Sequence, residues 1–126
     1  MSVIAHGIDI VECSRIQSVC DRHGDLFLRR VYTPAEIQYC RDTRKPTERL
    51  AGRWAVKEAV LKALGTGWRG GIEFVDIETL PDGYGKPHCR LTGKTADLAK
   101  SLGIDRVLVS ISHTSEYAVG SAIAVA

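Results

Sequence analysis

Residues 52 to 67 read GRWAVKEAVLKALGTG. The stretch has the length and composition of one helix, closed by Gly65 as the left-handed residue after its last turn. Its charges stand in unusual places. At about 100° per residue, Leu50, Trp54, Val56, Val60, Leu61 and Leu64 share one wide arc, and Arg53 and Lys57 fall inside it. Glu58 and Lys62 point the other way, among Ala51, Ala55 and Ala59. One account is bland. The two cations snorkel from the edge of a core, Glu58 and Lys62 form a surface pair worth about 0.3–0.5 kcal/mol, and the alanines favour helix. The other account is that both faces of the helix are covered.

The chain on either side reads as alternating strands and helices. VIAHGIDIVEC (3–13) is a strand, with Gly7 marking a close backbone approach. SRIQSVCDRH follows at helical spacing and is stopped by Gly24. Thr33-Pro34-Ala35-Glu36 is a capping box with proline at the first helical position, so a helix runs from 34 to about 42. Lys45-Pro46-Thr47 separates it from the long helix, 47 to 64. IEFVDIETL (72–80) reads as a strand, PDGYGKP as a turn and HCRLT as the returning strand. A short helix lies between Gly93 and Gly103, and residues 106–126 form two strands with a turn at His113 to Glu116. This order predicts an α+β fold, a mainly antiparallel sheet packed on one long helix and shorter ones, in a single domain over 1–126.

Composition narrows the function. The chain has 126 residues, 44% of them hydrophobic, enough for one domain with a real core. No apolar run approaches the roughly 20 residues of a membrane span, and the N-terminus lacks a signal-peptide pattern. The expected setting is the cytoplasm. A net charge of +2 does not point to nucleic acid. Cys13, Cys20, Cys40 and Cys89 have no zinc-like spacing and are expected as free thiols. Basic residues cluster at Arg41, Arg44, Lys45, Arg49 and Arg53, and again at Arg15, Arg22, Arg29 and Arg30. On charge alone these are solvated helix faces.

The carboxylates are more specific. Asp9 interrupts the strand Gly7-Ile8-Asp9-Ile10-Val11, where aspartate is disfavoured. It either points to solvent or meets a partner. Glu58, if covered, also needs a cation, because an unpaired buried charge costs several kcal/mol. One strand carboxylate and one helix carboxylate, completed by substrate phosphates, is a common way to hold Mg²⁺. Gly65-Thr66-Gly67-Trp68-Arg69-Gly70-Gly71 fails the phosphate-loop pattern, since it follows a helix instead of opening one.

GIDIVECSRI (7–16), GRWAVKEAVLKALGTG (52–67) and SISHTSEYAVGSAIA (110–124) together resemble the bacterial holo-acyl-carrier-protein synthases of the phosphopantetheinyl transferase superfamily. Gly7, Asp9, Trp54, Lys57, Glu58, Ala59 and Lys62 match the paired motif G-x-D and W/F-x-x-K-E-A/S-x-x-x-K. The resemblance implies transfer of 4′-phosphopantetheine from coenzyme A to a serine of an apo acyl carrier protein, releasing 3′,5′-ADP. It implies Asp9 and Glu58 as Mg²⁺ ligands, and Lys62 as the group that neutralises or protonates the leaving phosphate. Glu58, or water held at the metal, accepts the serine proton. It places Arg53, Lys57, Lys62 and the Gly65 region on coenzyme A phosphates, with His113 and Thr114 near its 3′-phosphate or adenine. Arg15 would dock the acidic carrier protein and Arg22, two turns on, would extend that patch. The family is typically a homotrimer with sites between subunits. That arrangement would set one face of the long helix on its own sheet and the other under substrate and a neighbouring chain.

Two rival readings use the same residues. A Mg²⁺-dependent hydrolase of nucleotide diphosphates would need no protein acceptor. A non-catalytic module would bind an acidic protein through Arg15, Arg22 and the 41–53 cluster, with no use for the Asp9 and Glu58 pair.

Overall fold

The computed structural model describes residues 2–65 and 71–126. Strand β1 (Val3–Glu12) leads into helices α1 (Cys13–Val31), α2 (Pro34–Arg41) and α3 (Pro46–Leu64). A 3-10 turn (Phe74–Asp76) then precedes the hairpin β2 (Ile77–Pro81) and β3 (Pro87–Leu91). Helix α4 (Gly93–Ser101) and strands β4 (Arg106–His113) and β5 (Tyr117–Val125) complete the order. The main sheet runs β1-β5-β4, every pair antiparallel, and β2-β3 forms a second small sheet. This is the α+β, mainly antiparallel architecture that the sequence predicts.

The small residues of α3 explain how it lies on the sheet. Ala51, Ala55 and Ala59 are fully buried against β1 and β5. A Cβ on Gly7 would stand 1.8 Å from the Ala59 carbonyl oxygen, and one on Gly120 would stand 2.4 Å from the Val56 amide. Helix and sheet therefore meet backbone to backbone. The opposite face is also covered, and by the chain itself. Trp54 stacks 4.8 Å from Phe74 and 6.1 Å from Phe27, and the Tyr32 hydroxyl donates to the Leu50 carbonyl at 2.8 Å. The expectation of substrate and a neighbouring chain over that face is thus corrected: α1, α2 and the 3-10 turn take their place. Burying side chains of this size stabilises by about 1.5–3 kcal/mol each.

Gly24 interrupts α1 where the sequence reading stops its helix (φ 51°, ψ −130°), and a second helical stretch, not foreseen, runs on to Val31 because Leu28, Val31 and Tyr32 have a core to enter. One strand boundary differs from the sequence reading. The predicted strand 72–80 begins only at Ile77. Lys57 draws the Phe74 and Ile77 carbonyls toward one ammonium, which bends the intervening segment into a 3-10 turn. The predicted capping box is present, with Thr33 accepting from the Glu36 amide and Glu36 from the Thr33 amide.

All four cysteines are free. Burial pushes Cys40 up to about 11 and Cys89 to about 12, so these thiols stay protonated and unreactive. Among the described residues, no helix is long and apolar enough to cross a membrane.

Candidate active site

Strand β1 turns its isoleucines outward. Ile8 and Ile10 are 55% and 63% exposed, whereas Gly7, Asp9 and Val11 face the helix. Asp9 therefore points into the fold, with a side chain 18% exposed, and not to solvent. Its Oδ1 accepts from Lys62 Nζ at 3.1 Å, and the same ammonium donates to the Ile8 carbonyl at 3.0 Å. Lys62 reaches Asp9 across the helix–sheet seam, and Glu58 stands one turn before it on α3.

Glu58 is half-buried, and burial first, then the negative charge of Asp9, raise its carboxyl above the ordinary 4.5. Lys62 and Arg15 pull it back down. Two carboxylates whose charges act on one another, with the Lys62 ammonium held beside Asp9, leave the site short of positive charge. No cluster of three or more His, Cys, Asp or Glu able to hold a metal occurs among the described residues. A divalent ion here would thus take two protein carboxylates and fill its other positions from a phosphate-bearing ligand, as Mg²⁺ does. The donor set fits that ion.

Lys57 is elsewhere. Its ammonium is fully buried, 2.8 Å from Glu36 Oε1, and donates to the carbonyls of Phe74 (3.0 Å) and Ile77. Glu36 Oε2 accepts from the Thr79 amide at 3.0 Å. All three ammonium protons are used, so the expected contact with coenzyme A phosphates is corrected to a structural one. Desolvation lowers the Lys57 pKa, and Glu36 opposes the shift. Snorkelling is wrong for this lysine as well.

Arg53 is 6% exposed, donates from Nε to the Thr79 carbonyl at 3.3 Å, and lies 4.6 Å over the Tyr39 ring. It lines an open cleft of about 280 Å³ with Tyr39, Arg49, Gly85, Pro87 and His113. Arg49, 4.1 Å over the same ring, is held by the Tyr39 and Asp42 carbonyls. His113 Nδ1 is 3.9 Å from Glu48 Oε1. Thr114 begins the β4–β5 turn, where its Oγ1 accepts from the Glu116 and Tyr117 amides. The hairpin residues of this cleft, Gly85 and Pro87, were invisible in the sequence, because nothing local joins them to α3. Tyr39 and Arg49 carried a faint signal as an aromatic and a cation, one helix apart.

Gly65 caps α3 in the left-handed region (φ 77°). Residues 66–70 of the predicted glycine-rich stretch lie outside the described residues. Arg15 and Arg22 are exposed on α1. The 41–53 cluster is not one surface: Arg41 reaches Asp25 at 3.4 Å, Arg49 is tied to carbonyls and Arg53 is buried. This weakens the reading of a binding module built on it.

Known proteins resemble the chain over nearly its whole length. Residues 5–122 match the model of the 4′-phosphopantetheinyl transferase superfamily. The chain is 48% identical over 121 residues, 96% of its length, to the holo-[acyl-carrier-protein] synthase of Koribacter versatilis, and covers 97% of that protein. It superposes on the synthase of Neisseria meningitidis with a TM-score of 0.90 and 33% identity, over 99% of this chain and 100% of that one. The synthase of Bacillus anthracis, solved in complex with CoA (3′,5′-ADP), gives a TM-score of 0.79 at 34% identity, over 97% and 96% of the two chains. The chain belongs to the 4′-phosphopantetheinyl transferase superfamily, within its holo-[acyl-carrier-protein] synthase group. It is accordingly a transferase, and the non-catalytic reading is set aside.

Proposed function

We propose that Asp9, Glu58 and Lys62 form the reaction centre at which this enzyme moves 4′-phosphopantetheine from coenzyme A to a serine of an apo acyl carrier protein, releasing 3′,5′-ADP. The observation that carries the assignment is the Lys62 ammonium 3.1 Å from Asp9 Oδ1, joining β1 to α3 one helical turn from Glu58, whose carboxyl the Asp9 charge helps to raise. Transfer occurs at a diphosphate, where positioning and charge neutralisation do most of the catalysis. Mg²⁺, held by Asp9 and Glu58 and completed by the diphosphate, would supply charge neutralisation there.

Lys62 is 55% exposed and, among the described residues, is tied to the sheet through Asp9 and the Ile8 carbonyl. It is free to turn toward the leaving phosphate, and can neutralise or protonate it. Glu58, with its raised carboxyl, is suited to take the serine proton at neutral pH. The cleft of Arg53 and His113 receives the 3′-phosphate and adenine, with Thr114 next in the chain after His113 and Arg49 as a further cation. Gly65, the cap of α3 one turn after Lys62, faces the coenzyme A phosphates in this reading. Arg15 reaches the same centre electrostatically, since it lowers the Glu58 pKa. Together with Arg22, two turns along α1, it offers an acidic carrier protein a landing edge beside the carboxylates.

The outer face of the sheet supports a homotrimer. Ile4, Ile8, Ile10 and Leu108 are all exposed on it, an apolar surface of the kind that assembly covers. The working compartment is the cytoplasm, consistent with four free thiols.

The test is incubation with coenzyme A, Mg²⁺ and an apo carrier protein, read by mass spectrometry. One phosphopantetheine added per carrier is expected, and Asp9→Ala or Glu58→Ala should abolish it while the fold remains. Near-normal turnover by either variant would overturn the assignment. Release of 3′,5′-ADP without carrier would favour the hydrolase instead.

A further inference from the structure

One aromatic side chain of the cleft's neighbourhood has no role in the fold. Tyr84 is 99% exposed, the most exposed large hydrophobic among the described residues, and sits at the tip of the β2–β3 hairpin. Its backbone, in contrast, is firmly held. Asp82 Oδ1 accepts from the Tyr84 amide at 2.8 Å and from the Lys86 amide at 3.0 Å, while the Asp82 amide donates to the Lys86 carbonyl at 2.8 Å. A rigid turn thus presents a ring that buries nothing.

The position of that turn gives the ring a purpose. Gly85, the next residue, lines the cleft with Arg53 and His113. Consecutive Cα atoms are about 3.8 Å apart, so Tyr84 stands at the cleft's edge. The cleft wall is cationic: the Tyr39 ring is already covered by the Arg49 and Arg53 guanidiniums, and the His113 imidazole lies 3.9 Å from Glu48. It can neutralise phosphate, and the large uncovered ring beside it is that of Tyr84. Gly85 itself, at φ 81°, adds no side chain that would block the approach.

We propose that Tyr84 stacks on the nucleobase of the donor, closing the open side of the cleft while Arg53 and His113 face its phosphate. The proposal rests on the reading of this cleft as the coenzyme A site. Tyr84 is then a specificity-determining residue for the nucleotide half of the donor, and plays no part in bond making at Asp9 and Glu58.

The experiment is calorimetric binding of adenosine 3′,5′-bisphosphate and of the base-free methyl ribofuranoside 3,5-bisphosphate to the native protein, Tyr84→Ala and Tyr84→Phe. Tyr84→Ala should weaken the adenosine ligand by roughly five- to twentyfold, the lower part of the range for losing a base–aromatic stack, and leave the base-free ligand unchanged. Tyr84→Phe should restore binding. In turnover, Tyr84→Ala should raise the KM for coenzyme A at unchanged kcat and unchanged KM for the carrier. Equal weakening of both ligands, no weakening of either, or a raised KM for the carrier alone would overturn the proposal. If the native protein bound neither bisphosphate, the donor-site reading would fail, and this inference with it.

Discussion

Lys57 Nζ lies 2.8 Å from Glu36 Oε1, and both side chains are fully buried. The pair joins α2, α3 and the start of β2, because Glu36 also accepts from the Thr79 amide and Lys57 donates to the Phe74 and Ile77 carbonyls. Removing one member of a buried, hydrogen-bonded pair costs about 3–5 kcal/mol, since the other charge is left alone. Lys57→Met is therefore expected to lower unfolding stability by that order, measured by urea denaturation. The double variant Lys57→Met, Glu36→Leu should recover part of the loss. A variant that folds as well as the native chain but binds coenzyme A poorly would return Lys57 to the phosphate site.

Glu58 gives a pH dependence whose sign is fixed by its surroundings. Its folded carboxyl titrates above 4.5, so the folded chain holds this proton more firmly than the unfolded chain. The stabilisation it contributes is complete below about pH 4.5 and is lost as pH rises through the folded value. At pH 7.5 the ionised side chain is a burden on the fold. Glu58→Gln should then melt above the native protein at pH 7.5, the advantage disappearing near pH 4.5. Mg²⁺ should raise the native melting temperature and leave the variant's unchanged. Thermal melts across pH, with and without Mg²⁺, decide both points.

Gly7 is the narrowest point between sheet and helix. Gly7→Ala would put a methyl group 1.8 Å from the Ala59 carbonyl, a clash between backbones that no side-chain movement relieves. Overpacking of this kind costs typically 1–3 kcal/mol. Because Asp9 is two residues further on the same strand and Glu58 adjoins Ala59, the variant should also lose Mg²⁺ affinity. Denaturation and metal titration together test this. A stable variant with native metal affinity would show that the seam does not set the carboxylate spacing.

Ile8 and Ile10 should govern assembly. Replacing both by glutamate puts two charges on the outer sheet face without touching the helix side, and is expected to give a monomer in light scattering coupled to size exclusion. An unchanged mass, equal to that of the proposed native trimer, would move the interface elsewhere.

Much of this arrangement was legible before any coordinates. The capping box at Thr33–Glu36 and the cap at Gly65 are local signals, and both fix helix ends where expected. The burial of α3 on two sides was legible from Lys57 within its apolar arc and the methyl-lined face opposite. What the sequence could not give was the occupant of each side. Glu36 reads as a capping residue only, and its second role as the partner of Lys57 depends on packing 21 residues away. The strand reading of 72–76 failed for the same reason, since the carbonyls there answer to Lys57 and not to a neighbouring strand. The cleft residues Gly85 and Pro87 belong to a hairpin whose place beside α3 is purely tertiary.

In β1 the acid is inside and the isoleucines are outside. A pleat offers only two phases, so sliding this strand by one residue would exchange them: the greasy surface would vanish and the carboxylate would be cast into water in a single step. The proposed subunit contact and the proposed metal site are thereby tied to one choice of frame: a change of register would undo both together, whereas a substitution can reach either alone.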